Sequence, residues 1–201
     1  IGIILPFGNT ITKKSFSLDI LMGAEEKALE KNYLIVFGSS RGTIDKEKEL
    51  ASAMLSRKIE GLILISVSKP PAVEHLAMFN TRGIPVVCVD QKIDGIVSHF
   101  ISGDNFHGTA SLVDHLYALG HRSFGIVSPD TDYFTFKERI QAFKYFLQQK
   151  RVEFRDEFHL TLKFGDPVER IRCFLSADEK PTALFLPDPM LLMPVMQAVQ
   201  S

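Results

Sequence analysis

The sequence predicts an α/β fold of two doubly wound lobes with parallel sheets, the second of them incomplete. Three observations carry this. Short apolar runs rich in β-branched residues recur along the chain, each followed by a stretch of helical periodicity. The runs are apolar at nearly every position, as strands buried on both faces must be, and their close spacing requires parallel pairing through crossover helices. Finally, 201 residues exceed the ~100–150 typical of one core, which leaves room for two.

Ile1–Leu5 reads as the first strand, ended by Pro6 and a polar loop from Gly8 to Thr12. From about Ser15 the spacing turns helical, with Phe16, Ile20, Ala24 and Ala28 on one face and Lys27, Glu30 and Lys31 left for water. A second strand, Leu34–Phe37, stops at Gly38-Ser39-Ser40. The helix after it, about Asp45–Arg57, turns Leu50, Met54 and Leu55 inward, and its Lys46-Glu47-Lys48-Glu49 run reads as a solvated face. Gly61–Ile65 is the third strand and about Ala72–Asn80 the third helix. Gly83 and Pro85 bracket the turn into the fourth strand, Val86–Val89, which closes on Asp90; Gly95–Ile101 reads as irregular.

Gly103 to Val127 then joins the lobes. Asp104 and Asn105 can each place a side-chain oxygen on the free N–H groups of a first helical turn. Ala110, Val113, Leu116 and Tyr117 follow at 3 to 4 spacing, Gly120 sits where a left-handed C-terminal cap is expected, and Phe124–Val127 resumes a strand. The boundary is drawn here: residues 1–119 form the N-terminal lobe, this helix included, and 120–201 the C-terminal lobe. His121, at the helix end, is assigned a structural role at the crossing.

In the second lobe a polar loop, Ser128 to Phe134, leads into a helix whose Phe136, Ile140, Phe143 and Leu147 are core positions. His159–Leu162 is a strand, Val168, Ile171 and Leu175 mark a helix, and Ala183–Leu186 is a further strand. Asp188 caps the last helix, Pro189–Gln200, with Pro189 at its first position, and Pro194 is expected to kink or shorten it. About three strands leave much apolar surface uncovered, so the sequence reads as a fragment or as lacking a C-terminal part.

Composition excludes several functions. A net charge of −1 gives no basic field, so the segment by itself does not bind nucleic acid by phosphate neutralisation. Cys88 and Cys173 read as core thiols of a reducing compartment, with no disulfide or metal clip. The opening IGIILP lacks the basic region and cleavage site of a signal peptide, and no apolar run reaches the ~20 residues needed to span a bilayer. The loop Pro6 to Ile11 carries neither glycine-rich phosphate motif, and no nucleophile–base set or metal-ligand spacing occurs. No catalytic residue, cofactor or metal is therefore expected, and the chain does not read as an enzyme.

In open parallel sheets ligands bind outside the carboxyl ends of strands. Those ends carry Asn9 with Phe16, Ser39-Ser40, Ser66, Asp90, Tyr133 with Thr135, and Asp188. Polar hydrogen-bonding side chains with some aromatic surface suit a neutral polyhydroxyl ligand.

The run Asp104-Asn105, Gly108, His115-Leu116 and Leu119-Gly120-His121-Arg122 resembles the signature of the LacI/GalR bacterial transcription regulators in their effector-sensing domain. IGIILP, VFGSS, KIEGLIL, RGIPVVCVD and PTALFLPD agree with it along the whole chain. The resemblance implies the type I periplasmic-binding-protein fold and a carbohydrate or purine-like effector bound between the lobes. It also implies a cytoplasmic homodimer with no membrane contact, and operator DNA bound through a head domain expected before Ile1. By the same resemblance Arg139 is the ligand clamp, a guanidinium fork suited to vicinal hydroxyls or a carboxylate. Tyr133 and Thr135 lie in the pocket-facing loop, Phe16 covers the ligand, and His107 faces the cleft. Two positions depart from the pattern: Ala142 stands for the usual glycine and Pro187 for a common asparagine. The alternative is a periplasmic solute-binding protein of a sugar transporter.

Overall fold

A computed structural model describes residues 1–7, 11–69, 71–162 and 168–200. The chain divides into two units, Ile1–Gly103 and Asp104–Ser201. Unit one alternates β1 (Gly2–Leu5), α1 (Ile11–Glu30), β2 (Val36–Ser39), α2 (Ile44–Ser56), β3 (Leu62–Leu64), α3 (Glu74–Thr81) and β4 (Val86–Val89), and ends on β5 (His99–Ile101). The sheet order is β2-β1-β3-β4-β5, and every pairing is parallel.

β1 is buried along its length because it lies between β2 and β3 and is covered on both faces. Alternation along the strands sends Ile4, Leu62, Leu64, Val86 and Cys88 to the side of Met54, Leu55, Leu76 and Phe79. Ile3, Leu5 and Ile65 pack on the opposite side with Ile20, Leu21 and Ala24 of α1. Burial pushes the Cys88 thiol up, as a core thiol requires.

Four local expectations change. β2 begins at Val36, two residues later than the apolar run. The stretch read as irregular contains β5, which pairs with β4 yet is exposed at all three residues, so it carries no burial signal. Phe16 is 48% exposed and is not a core residue. Of the Lys46 to Glu49 run, Lys46 and Glu49 pair at the surface at 2.6 Å, but Glu47 has no exposed surface at all.

Unit two consists of α4 (Asn105–Ala118), β6 (Phe124–Pro129), α5 (Phe134–Gln149), β7 (His159–Leu162), α6 (Val168–Leu175), β8 (Ala183–Phe185) and α7 (Leu192–Gln200). β6 is central between β7 and β8, again all parallel. Val113 of α4 packs with Phe124, Ile126, Phe143 and Phe185, and the Phe143 and Phe185 rings stack at 4.4 Å. α4 thus packs in the second unit, and the units divide at Gly103/Asp104 rather than after Leu119. The other face holds Val127, Leu162, Ile171, Leu191 and Val195. Pro194 falls in the first turn of α7, after a 3-10 turn at Pro189–Leu191, where its missing N–H has no partner to lose. Cys173 is exposed and is not a core thiol. Among the described residues no helix is long and apolar enough to cross a membrane.

Candidate functional site

In the second sheet β6 has β7 on one side and β8 on the other, so the loops leaving β6 and β8 diverge at a topological switch point. The β6 loop delivers the start of α5, with Tyr133 at its N-cap, and the β8 loop delivers Pro187 and Asp188. Thr135 and Arg139, four residues apart, lie on one face of α5.

Arg139 is fixed from two directions. Its Nε donates to Asn105 Oδ1 at 2.7 Å and its Nη1 to the Pro187 carbonyl at 2.8 Å. Those bonds use two of a guanidinium's five N–H donors. The acceptor at Pro187 is the backbone, so losing the asparagine amide at this position does not release the arginine. Asn105 is buried, and its Nδ2 donates to Glu138 Oε2 at 2.7 Å. Asp104 does the N-capping of α4, accepting from the His107 N–H at 3.0 Å, which leaves the Asn105 amide to reach α5.

Two polar atoms beside this arrangement are buried with no hydrogen-bond partner among the described residues. Thr135 Oγ1 belongs to a side chain with no exposed surface. Asp188 is 3% exposed; Oδ1 accepts from the Met190 N–H at 3.0 Å, while Oδ2 has no partner. Leaving such a group unsatisfied costs about 1–3 kcal/mol. Hydroxyls brought to these atoms would recover that cost. Tyr133 stands at the rim, its ring 5.5 Å from that of Phe136. Ala142 is fully packed in α5 and needs no glycine.

In unit one the candidates are more dispersed. Asn9 lies outside the described residues. Phe16 presents its ring to solvent from α1. Ser39 donates to the Phe7 carbonyl, while the Ser40 hydroxyl is buried without a partner among the described residues. Asp90 ends β4 at φ +60°, a left-handed conformation that Asp tolerates better than most residues, with its N–H on the Ile101 carbonyl.

Ser66 is committed elsewhere. Its hydroxyl donates to Glu47 Oε1 at 2.8 Å and accepts from the Ser68 N–H at 2.9 Å. Glu47 also receives the Ser68 hydroxyl at 2.6 Å, the Val67 N–H at 2.8 Å and pairs with His75 Nε2 at 2.9 Å. Burial alone would raise this carboxyl, yet the bonds from His75, Ser68, Val67 and Ser66 together hold it below its ordinary range. Ser66 therefore ties α2 to the loop after β3.

His107 is 77% exposed in its side chain and turns its ring onto Asp104 Oδ2 at 2.8 Å. The N–H and ring of His107 hold the Asp104 carboxyl below its usual value. His121 bonds Thr182 Oγ1 at 2.9 Å, and Arg122, not His121, caps the α4 carbonyl of Tyr117.

The structure thus gathers Tyr133, Thr135, Arg139 and Asp188 at one set of strand ends. It adds Asn105 and Pro187, expected from the sequence as a cap and a departure, and Glu138, which carried no expectation. The signal that could have found Asn105 is the Asp104-Asn105 pair itself: one helix needs one N-cap, so the second amide is available for another partner.

Residues 113–201 match the periplasmic binding protein-like domain family. The arabinose metabolism transcriptional repressor of Geobacillus stearothermophilus is 30% identical over 173 residues, which is 82% of this chain and 47% of that protein. The HTH-type transcriptional repressor PurR of Proteus mirabilis is 23% identical over 182 residues, 88% of this chain and 52% of that protein. The chain spans about half the length of these curated relatives. The crystal structure of the Cra transcriptional dual regulator from Pseudomonas putida, in complex with fructose 1-phosphate, superposes with a TM-score of 0.77. At 20% identity it covers 99% of this chain and 72% of that one, a likeness of fold.

Proposed function

We propose that the chain is the effector-binding domain of a regulator of the LacI/GalR kind, which senses a small polyhydroxyl metabolite and passes its presence to an attached DNA-binding head. The observation that carries the reading is the arrangement around Arg139: a half-buried, doubly anchored guanidinium with donors to spare, beside Thr135 Oγ1 and Asp188 Oδ2, which have no partner among the described residues. Together they offer donors and acceptors within one strand-end region, as a sugar's hydroxyls require. The role is binding without turnover, in a homodimer of the cytoplasm. The names of the two relatives above, both transcriptional repressors, favour this over a solute-binding role in transport.

Binding can shift a regulator only by its differential affinity for two states of the protein. The test is calorimetric titration of the full-length protein with L-arabinose, D-ribose, cellobiose, fructose 1-phosphate and D-fructose. One of them is expected to bind, and Arg139→Ala to weaken it by about 10- to 100-fold, the worth of a charged hydrogen bond. A folded protein that binds none of the five would sink the reading.

A further inference from the structure

We propose that Asn105 is the positioning residue for Arg139, and that Glu138 sets the direction in which Asn105 works. This deepens the functional reading above and rests on Arg139 meeting the ligand.

A carboxamide has one end that only accepts and one that only donates, and in isolation either way round is available to it. Here its two neighbours are chemically one-sided. A guanidinium only donates and a carboxylate only accepts. Placed between Arg139 Nε at 2.7 Å and Glu138 Oε2 at 2.7 Å, the Asn105 amide satisfies both in one orientation, Oδ1 to the arginine and Nδ2 to the glutamate. The reversed amide would set NH₂ against guanidinium and oxygen against carboxylate. Because Asn105 is buried, that mismatch would be weakly screened by water.

The same geometry explains why adjacent Glu138 and Arg139 do not simply neutralise each other: the glutamate's attraction is relayed through the amide to Nε. A long side chain held at one nitrogen can still swing. Held at Nε from α4 and at Nη1 by the Pro187 carbonyl, its plane is defined before a ligand arrives. Preorganisation of this kind lowers the ordering cost paid on binding.

The experiment uses the full-length protein labelled with [15N]arginine. The Arg139 Nε–H resonance is identified by its disappearance in Arg139→Lys. In the wild type it is expected to exchange slowly with water, and in Asn105→Ala about tenfold faster or more, as a lost charge-assisted bond implies. Asn105→Asp keeps an acceptor for Nε and should keep the slow exchange, which also serves if the alanine variant folds poorly. Glu138→Gln still accepts from Nδ2 and should stay closer to wild type than Glu138→Ala. Exchange in Asn105→Ala equal to wild type overturns the proposal. For whichever of the five compounds binds, Asn105→Ala should weaken binding about 10-fold or more, and the Asn105→Ala/Arg139→Ala pair should be no worse than Arg139→Ala alone. A fully additive loss would mark Asn105 as an independent contact or a structural residue and overturn the relay. Silence from all five compounds would count against the sensing role alone, since the exchange measurement needs no ligand.

Discussion

A carboxylate with no exposed surface survives at Glu47 because Ser66, Val67, Ser68 and His75 all turn hydrogen-bonding atoms onto it. Removing one side of such a network strands the other side, which is the expensive outcome. Glu47→Gln, which keeps the shape and loses the charge, is expected to cost about 1–3 kcal/mol in urea unfolding, and Glu47→Ala more. The pH dependence follows from the direction of the shift. The folded carboxyl titrates below the unfolded 4.5, so its stabilisation is complete above that value and is lost as pH falls through the folded value. The gap in stability between wild type and Glu47→Gln should hold steady above about pH 5 and narrow below 4.5. A gap that widens on acidification would show that the charge is not what the network holds.

At the scale of elements, α4 ends as its sequence requires. Gly120 sits at φ +91°, its N–H bonds the Tyr117 carbonyl and the His121 N–H bonds that of Leu116, the paired closure of a Schellman cap. None of the described residues lies within 4 Å of where a Cβ would be, so a substitution meets backbone strain and no steric wall from them. Gly120→Val is expected to lower unfolding stability by about 1–2 kcal/mol and Gly120→Asn by less. Equal stability of the valine variant would show that the cap does not hold the helix end. In the core of the same unit, Phe143→Ala removes the ring stacked on Phe185 and is expected to cost about 3–5 kcal/mol in the same assay. These features were legible in the sequence because each has a local cause: a glycine past the last apolar position, a 3-4 spacing of Ile140, Phe143 and Leu147, whereas Phe136 of the same row stays half-exposed beside Tyr133. What was not legible has a non-local one. β5 is a strand only because β4 lies beside it, and its exposed residues show no pattern. Glu47 looks like any surface charge until the β3 loop closes over it. Val113 lies on an amphipathic face, but the sequence does not say which sheet that face meets. The site divided in the same way: Arg139 and Thr135 followed from motif and strand-end position, whereas the Asn105 relay depends on α4 and α5 lying side by side.

For the whole molecule, each unit carries an apolar face that its own core does not use. In unit two, Leu191, Val195 and Ala198 of the last helical segment point inward while Met193, Met196 and Val199 are exposed. In unit one, Leu18, Met22 and Leu29 are exposed along α1. Faces of this kind mark association surfaces more often than bare solvent contact. A short helix such as α7 cannot by itself supply the roughly 1,200–2,000 Å² that a stable protein interface buries, so a mate that uses α7 needs further surface as well. A homodimer, as the resemblance implies, would use the same patches on both copies, so one substitution is felt twice. Sedimentation of the full-length protein is expected to give a dimer at micromolar concentration. Met193→Glu with Met196→Glu should shift it toward monomer with unchanged circular dichroism, because neither side chain belongs to the core. A monomeric wild type would remove the dimer altogether, and a double variant that remains as dimeric as wild type would place the interface away from α7.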